Sequence, residues 1–432
     1  MAPKTTDNRQ RMKWLAVQVC VFTACLLVTL FAANSVQADH PLKLLHYWTG
    51  SLSGGIDDMV AEYNANSPAS PIVAEGMDHE SFKSGIKGLL ASGQRPQFFS
   101  YWAGARTQAM VDSGYLAPID EAWQAARLDE VFPKAIADGC IYNGKKYALP
   151  VTQHLVGFFY DKMLFERLGL LPPRTWDDFL VVCKELKAAG VVPIALGNRE
   201  RWPAQFWFDY LLLRTAGPAY RDRLMLGHAS YLDPEVKRVF ALWQTLISNG
   251  YIAKTTALKD WSGAADEVRQ GKAAMTLMGT WIIGYYEEQQ GWKQLEDYDF
   301  FEFPLVSSEV PTVSLGPIDV LVMTKDTGHP HGLNEVIAFF AGVKSQEVMS
   351  VGSGALAPSS KVPHEFYSPL KRRLVDVVQH SEAWRYNYDL AVPPAAAEVG
   401  LGLFAAFLRQ NQNLPALLKS VQQRMEVIYS QR

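Results

Sequence analysis

Cysteine is scarce in this chain: there are four in 432 residues, and Cys20 and Cys25 fall in the leading apolar stretch, which leaves only Cys140 and Cys183 beyond it. A fold stapled by a disulfide framework is thereby excluded, while a single Cys140–Cys183 bridge stays open. Cys183 lies on the apolar side of a helical pattern, where a cysteine serves as a small buried hydrophobe. Charge excess is also absent. The 41 Lys and Arg against 44 Asp and Glu give a formal charge of −3, so there is no basic field for nucleic acid. Internal repeats, low-complexity tracts and long linkers are missing, which argues for packed lobes. Catalytic signatures are missing as well. No G-x-S-x-G elbow or H-E-x-x-H helix is present. Gly352-Ser353-Gly354 and Gly400-Leu401-Gly402 come without the strand–turn–helix unit and downstream acid of a dinucleotide loop, and read as turns or close packing. His329-Pro330-His331 has no third metal ligand nearby. The sequence therefore predicts no catalytic residue, no metal and no cofactor.

What is present begins with an export signal. Lys4, Arg9, Arg11 and Lys13 precede an apolar run over 15–33, and Val36-Gln37-Ala38 provides a small-residue cleavage site. Residues 1–38 read as a signal peptide. The run is long enough to make an uncleaved membrane anchor the rival reading. A lipoprotein reading through Cys25 is disfavoured by the apolar sequence that continues past it. Without residues 1–38 the chain keeps 37 basic and 43 acidic residues, a formal charge of −6. At 48% hydrophobic residues and this length, two lobes with a core each are expected.

From residue 42 to 102 the pattern is strand, helix, strand, helix, strand, over 42–48, 55–63, 72–75, 80–90 and 97–101. Such alternation predicts helices covering a largely parallel sheet. Sheets of this kind bind ligands at the carboxyl ends of their strands, where Trp48-Thr49-Gly50 and Trp102-Ala103-Gly104 fall. After Pro150 the character is mostly helical, with helices predicted over 176–187, 204–214, 234–249, 264–270 and 281–288 and short strands near Val192 and Ala273. The Asp177-Asp178 and Glu287-Glu288 pairs, like Asp57-Asp58, read as solvated helix faces. Thr175 fits an N-cap, with Asp178 placed to complete a capping box.

The stretch NGKKYALPVTQHLVGFFYDKMLFERLGLLPPRTWDDFLVVCKELKAAGVVPIALG over 143–197 resembles the first inter-lobe crossing of solute-binding proteins that serve sugar-importing ABC transporters. The resemblance extends to HYWTGSLSGG at 46–55, ASGQRPQFFSYWAG at 91–104, GYLAPIDEAW at 114–123, RQGKAAMTLMGTWIIGYY at 269–286 and GALAPSSK at 354–361. It implies extracellular solute-binding protein family 1, closest to its glucose-type, monosaccharide-binding branch. The implied fold is α/β: the two-lobed, type II periplasmic-binding-protein fold, each lobe a mixed sheet flanked by helices, joined by three crossings. The implied organisation is a signal peptide at 1–38, first lobe at 39–149 and 305–354, and second lobe at 150–304 and 355–432. Two positions depart from the family pattern: Gln97, where Asp is frequent, and Gln153-His154, where other members carry a carboxylate or an Asn-His pair. Both bear on which sugar is bound.

Sugars present apolar C–H faces ringed by hydroxyls, so a sugar site needs flat aromatics and planar polar groups. Twelve tryptophans supply more aromatics than one site can use, and position must choose among them. Trp48, with Thr49 beside it, and Trp102 are chosen by strand ends and by matching family positions. Trp281 follows Met278-Gly279-Thr280 where the family carries a stacking aromatic. Trp202 falls in a ligand-contacting loop of the family and equally fits a surface aromatic. Trp207 reads as core, and Trp261 and Trp384 carry weaker claims. His154 matches a ligand-binding polar position of the family; Gln153 shares the argument less securely, because strand neighbours face opposite sides. Asp319 fits either a hydroxyl acceptor or, slightly better, a turn cap. The resemblance thus implies a periplasmic, non-catalytic, monomeric protein with a carbohydrate ligand and ABC permease subunits as partners. The alternatives are a binding protein that feeds a membrane sensor and a secreted carbohydrate-active enzyme, which needs an opposed carboxylate pair that cannot be placed.

Overall fold

A computed structural model describes residues 41–431 apart from 67, 69, 255, 328–329 and 411–412. The predicted signal peptide over 1–38 and His329 of the His329-Pro330-His331 stretch lie outside the described residues. Among the described residues no helix is long and apolar enough to cross a membrane.

The strands that matter for the site are, in chain order, β1 (Leu42–His46), β2 (Ile72–Gly76), β3 (Phe98–Trp102), β4 (Leu116–Ala117), β5 (Ala148–Gln153), β6 (Val156–Asp161), β7 (Val192–Ala195), β8 (Ala273–Gly279), β9 (Tyr298–Phe301) and β10 (Ile318–Thr324). The first sheet runs β2-β1-β3-β10-β4, with β5 also paired to β10. β1 is parallel to β2 and β3, as strand–helix alternation predicts, and the later β10 completes the sheet antiparallel to β3, β4 and β5. The second sheet runs β9-β6-β8-β7, with β8 antiparallel to β6 and parallel to β7. Each sheet belongs to its own apolar core. Leu42, Leu44, Phe98, Val320, Ile337 and Phe340 belong to the first. Phe158, Phe179, Trp207, Trp243, Met275 and Phe404 belong to the second. The helix Trp176–Ala188 starts at the capping box formed by Thr175 and Asp178.

Three chain segments join the cores side by side. Gln153 and Leu356 exchange both backbone hydrogen bonds at 2.9 Å, and the His154 N–H donates to the Pro317 carbonyl at 3.0 Å. Val313 and Leu315 belong to the second core and Ile318 to the first, so the middle passage is at Gly316-Pro317, later than the boundary at 304 that the resemblance implies through the stretch Phe300-Phe301-Glu302-Phe303-Pro304. The signal at 304 is local. Leu305 instead pairs with the second lobe, its N–H donating to the Arg174 carbonyl and its carbonyl accepting from the Trp176 N–H, both at 2.9 Å.

Other differences from expectation have plain causes. The helix predicted over 281–288 is helical only over Trp281–Gly284 and widens into a π-turn at Tyr285–Gln289. Helices Gly217–Met225, Val343–Ser353 and Pro369–His380 lacked a reading at the sequence level. Gly352 lies against Gly55, whose backbone N is 2.1 Å from where a Cβ on Gly352 would stand, so that glycine serves close helix packing. Cys140 and Cys183 are free, and each is buried in a different core, so no bridge forms. Burial pushes both thiols up, that of Cys140 to about 12.

Lys371, on Pro369–His380, reaches across the junction and donates to the Ser350 carbonyl at 2.6 Å. Burial lowers its pKa from 10.5 to about 8, partly opposed by Glu287. Below about pH 8 both folded and unfolded chains hold this proton. Between 8 and 10.5 only the unfolded chain does, so this residue makes stability rise with pH across that window. The slope contributed is at most ~1.4 kcal/mol per pH unit. Urea unfolding midpoints of wild type and Lys371→Met should therefore diverge progressively over this window; parallel curves would show that Lys371 is not the titrating group.

Candidate functional site

Between the two cores lies a cavity of about 400 Å³. β1 and β3 deliver its first-lobe wall at their carboxyl ends: Tyr47, Trp48 and Thr49 follow β1, and Trp102 ends β3. Tyr47 and Trp102 stack with centroids 4.5 Å apart and planes 11° apart. Asp319 is in register with Trp102 on one side and Thr152 on the other. Directly opposed residues share a face of the sheet, so Asp319 points with Trp102 into the cavity. The Thr152 hydroxyl donates to Asp319 Oδ2 at 2.6 Å and fixes it from behind. Burial, with Asp319 close by, pushes the Tyr47 hydroxyl above its usual range and keeps it a neutral donor.

His154 sits on the first crossing and holds both lobes. Its Nε2 lies 3.3 Å from Asp319 Oδ2, and its Nδ1 lies 3.0 Å from Thr280 Oγ1. Its Nδ1 is within hydrogen-bond distance of the Thr280 hydroxyl while its Nε2 faces the Asp319 carboxylate, so the ring ties one lobe to the other. Thr280 follows β8, whose last residue, Gly279, leaves room for the Trp281 side chain: a Cβ on Gly279 would be 2.0 Å from the Trp281 ring. The indole of Trp281 is thereby seated flat over the strand end. His154 meets it edge-on at 5.3 Å and 75°, and Trp202 at 5.8 Å and 67°.

The polar side chains are largely paired with one another. The helix His79–Ala91 starts at Asp78, whose carboxylate caps Ser81 N–H at 3.1 Å and is held below its usual range by that bond. Arg199 binds Glu200 at 2.8 Å and Asp260 at 2.6 Å within the second lobe. Arg106 binds Asp389 at 3.1 Å and lies 5.8 Å from the Trp102 ring centroid. A wall of aromatic faces with carboxylates, amides and guanidinium groups around it suits a small polyhydroxylated ligand.

The family model for bacterial extracellular solute-binding proteins matches residues 49–347. The chain belongs to that family. An uncharacterized ABC transporter extracellular-binding protein of Pyrococcus horikoshii is 29% identical over 356 residues, covering 81% of this chain and 78% of that protein. A probable sugar-binding periplasmic protein of Mesorhizobium japonicum is 25% identical over 396 residues, 88% of this chain and 92% of its own length. Among solved structures, the bacterial solute receptor AcbH superposes with a TM-score of 0.84 at 22% identity, over 90% of this chain and all of that one. A chitin oligosaccharide binding protein superposes at 0.81 and 21% identity, over 90% of this chain and 99% of that one. At these identities the superpositions establish the two-lobed fold.

Of the residues singled out from sequence, this solute-binding protein brings Trp48, Thr49, Trp102, His154, Trp202, Trp281 and Asp319 to the cavity wall. Gln153 is not on it. β5 alternates, so Thr152 and His154 share the cavity face while Gln153 turns away and uses its backbone to pair with Leu356. Asp319, read slightly in favour of a turn cap, stands instead inside the sheet with its carboxylate in the cavity. Trp261 lines the cavity, contrary to its weak claim, and Trp384 does not, packing instead beside both cores. Sequence reading passed over Asp78, His79, Glu80 and Lys83, although the strand-end rule applied to β2 leads straight to them. Arg106 is one turn beyond Trp102 and was within reach of the same rule. Asn387 and Asp389 carried no signal, because nothing local marks a segment that only folding brings to the cleft.

Proposed function

We propose that the protein is the substrate-binding component of an ABC-type sugar importer, capturing a mono- or small oligosaccharide between its lobes and delivering it to a membrane permease from the periplasmic or extracellular side. The observation that carries this reading is a cavity lined by five tryptophans from both lobes, Trp48, Trp102, Trp202, Trp261 and Trp281, together with carboxylates and two histidines. Indole faces cover sugar C–H faces, and Asp319, His154, Arg199 and Glu200 are placed to exchange hydrogen bonds with hydroxyls. A volume of about 400 Å³ suits a short saccharide. The names of the relatives agree: the Mesorhizobium protein is described as sugar-binding, and AcbH by a preference for β-D-galactopyranose. The protein has no catalytic role in this reading, and the sugar and the permease are its only partners.

Because a ligand that binds only the native state raises the melting point with its concentration, a thermal-shift screen of the chain from Asp39 against monosaccharides, disaccharides and polyols tests the proposal. A saturable rise with at least one sugar is expected. A response to amino acids or peptides, with none to any carbohydrate, would overturn it.

A further inference from the structure

We propose that Asp389 is a latch that closes the two lobes on each other, with or without ligand, through a buried ion pair with Arg106 and Lys83 of the opposite lobe. Arg106 lies on Ala105–Asp112 behind β3, and Lys83 on His79–Ala91 behind β2; both belong to the first lobe. Asp389 follows Tyr388, which is fully buried in the second core. Across the cleft, Asp389 Oδ2 accepts from Arg106 at 3.1 Å and lies 3.6 Å from Lys83 Nζ, with side-chain exposures of only 7%, 10% and 15% for the three residues.

The second lobe presents this carboxylate ready-made. Gln205 and Asp209 share one face of the helix Gln205–Thr215. Gln205 accepts the Asp389 N–H at 2.8 Å, and Asp209 accepts the Tyr388 N–H at 2.7 Å. Arg221 ties Asp209 at 2.8 Å to the Tyr386 carbonyl at 2.6 Å, and Asn387 donates to Asp389 Oδ1 at 2.7 Å. The first lobe is shaped to receive it. Gly104 has φ of 100°, and a Cβ there would be 2.4 Å from the Leu390 carbonyl oxygen, so only glycine lets the segment dock this closely. Arg199, by contrast, is paired within its own lobe. Burial alone would raise the Asp389 pKa, but Arg106 and Lys83 outweigh it and keep the carboxylate charged in the closed form.

When the lobes part, these charges regain water; when they close, each depends on the other. Removing one partner leaves a buried, uncompensated charge in the closed form only. The apparent affinity of every ligand is the intrinsic affinity scaled by the fraction of protein able to close, so a latch variant weakens all ligands by one common factor. A direct ligand contact would instead change the preference among ligands.

The affinity part of the test rests on the sugar-binding reading, whereas the part that follows lobe distance needs no ligand. Energy transfer between dyes on cysteines introduced at Lys87 and Lys237, exposed positions on opposite lobes, should show a closed population in the empty protein. Asp389→Asn and Arg106→Gln should deplete it to similar extents, and the double variant no further. Each single variant should weaken every bound sugar by about tenfold, with the order of preference unchanged. Lys83→Gln, on the helix His79–Ala91, gives a smaller effect of the same kind and serves if Asp389→Asn does not fold. An empty wild-type protein with no closed population, additive losses in the double variant, or a changed sugar preference would each overturn the latch. If no sugar binds the wild type, the proposed function fails while the lobe-distance result still decides.

Discussion

Replacing Trp281 by alanine is expected to weaken sugar binding by about 30-fold while leaving the melting midpoint within a few degrees of wild type. The indole is only partly buried and packs at the edge of the second core, so its removal opens no deep void. A ligand that covers one face of the ring takes on the order of 80 Å² of apolar surface out of water, about 2 kcal/mol of binding free energy. At about 1.4 kcal/mol per factor of ten, that corresponds to the stated loss. Calorimetric titration of the sugar found by thermal shift reads the effect, and an unchanged Kd would take Trp281 out of the site. Trp102 offers no such clean test. It is 7% exposed, stacked on Tyr47 and embedded in the first core, so its truncation lowers stability together with affinity.

The second large effect is expected at the hinge. Gly316→Ala places a methyl group 1.7 Å from the His154 carbonyl oxygen, well inside van der Waals contact. The obstacle is backbone, which cannot rotate out of the way as a flexible side chain can. It is also tied down, because the His154 N–H donates to the Pro317 carbonyl next door. Overpacking in a core usually costs about 1–3 kcal/mol, and a backbone clash between two crossings belongs at or above the top of that range. Urea unfolding should show a loss of roughly 3 kcal/mol or more, and the protein that remains folded should bind sugar poorly because His154 has moved away from Asp319 and Thr280. A midpoint near that of wild type would mean that the two crossings can separate without cost.

These two positions show how far the chain could be read in advance. Trp281 was legible because the phrase MGTW matches the point where the resembled family carries a stacking aromatic. Gly316 was not, since a glycine before a proline reads as an ordinary turn until another crossing is laid against it. Gln153 and His154 illustrate the same limit at closer range. They are neighbours in sequence, yet alternation sends one to the cavity and the other to a backbone pairing with Leu356, and only the register of β5 on β10 says which. Asp319 failed for a similar reason. A carboxylate ahead of an apolar strand resembles a cap, and its function appears only when Trp102 and Thr152 are placed on either side of it.

By itself the sequence determined what is local or periodic. The first-lobe alternation of strands and helices, the capping box at Thr175, the strand-end tryptophans and the order of phrases along the chain sufficed for a two-lobed sugar-binding architecture. Tertiary structure alone decided the partners of the charges. Asp389 lies far along the chain from Arg106, and Asp209 from Tyr388, and no pattern of hydrophobicity or turn chemistry links such residues. They meet because two independently packed cores are joined by three short crossings, which fix where the faces of the lobes touch and which buried charges must then satisfy one another.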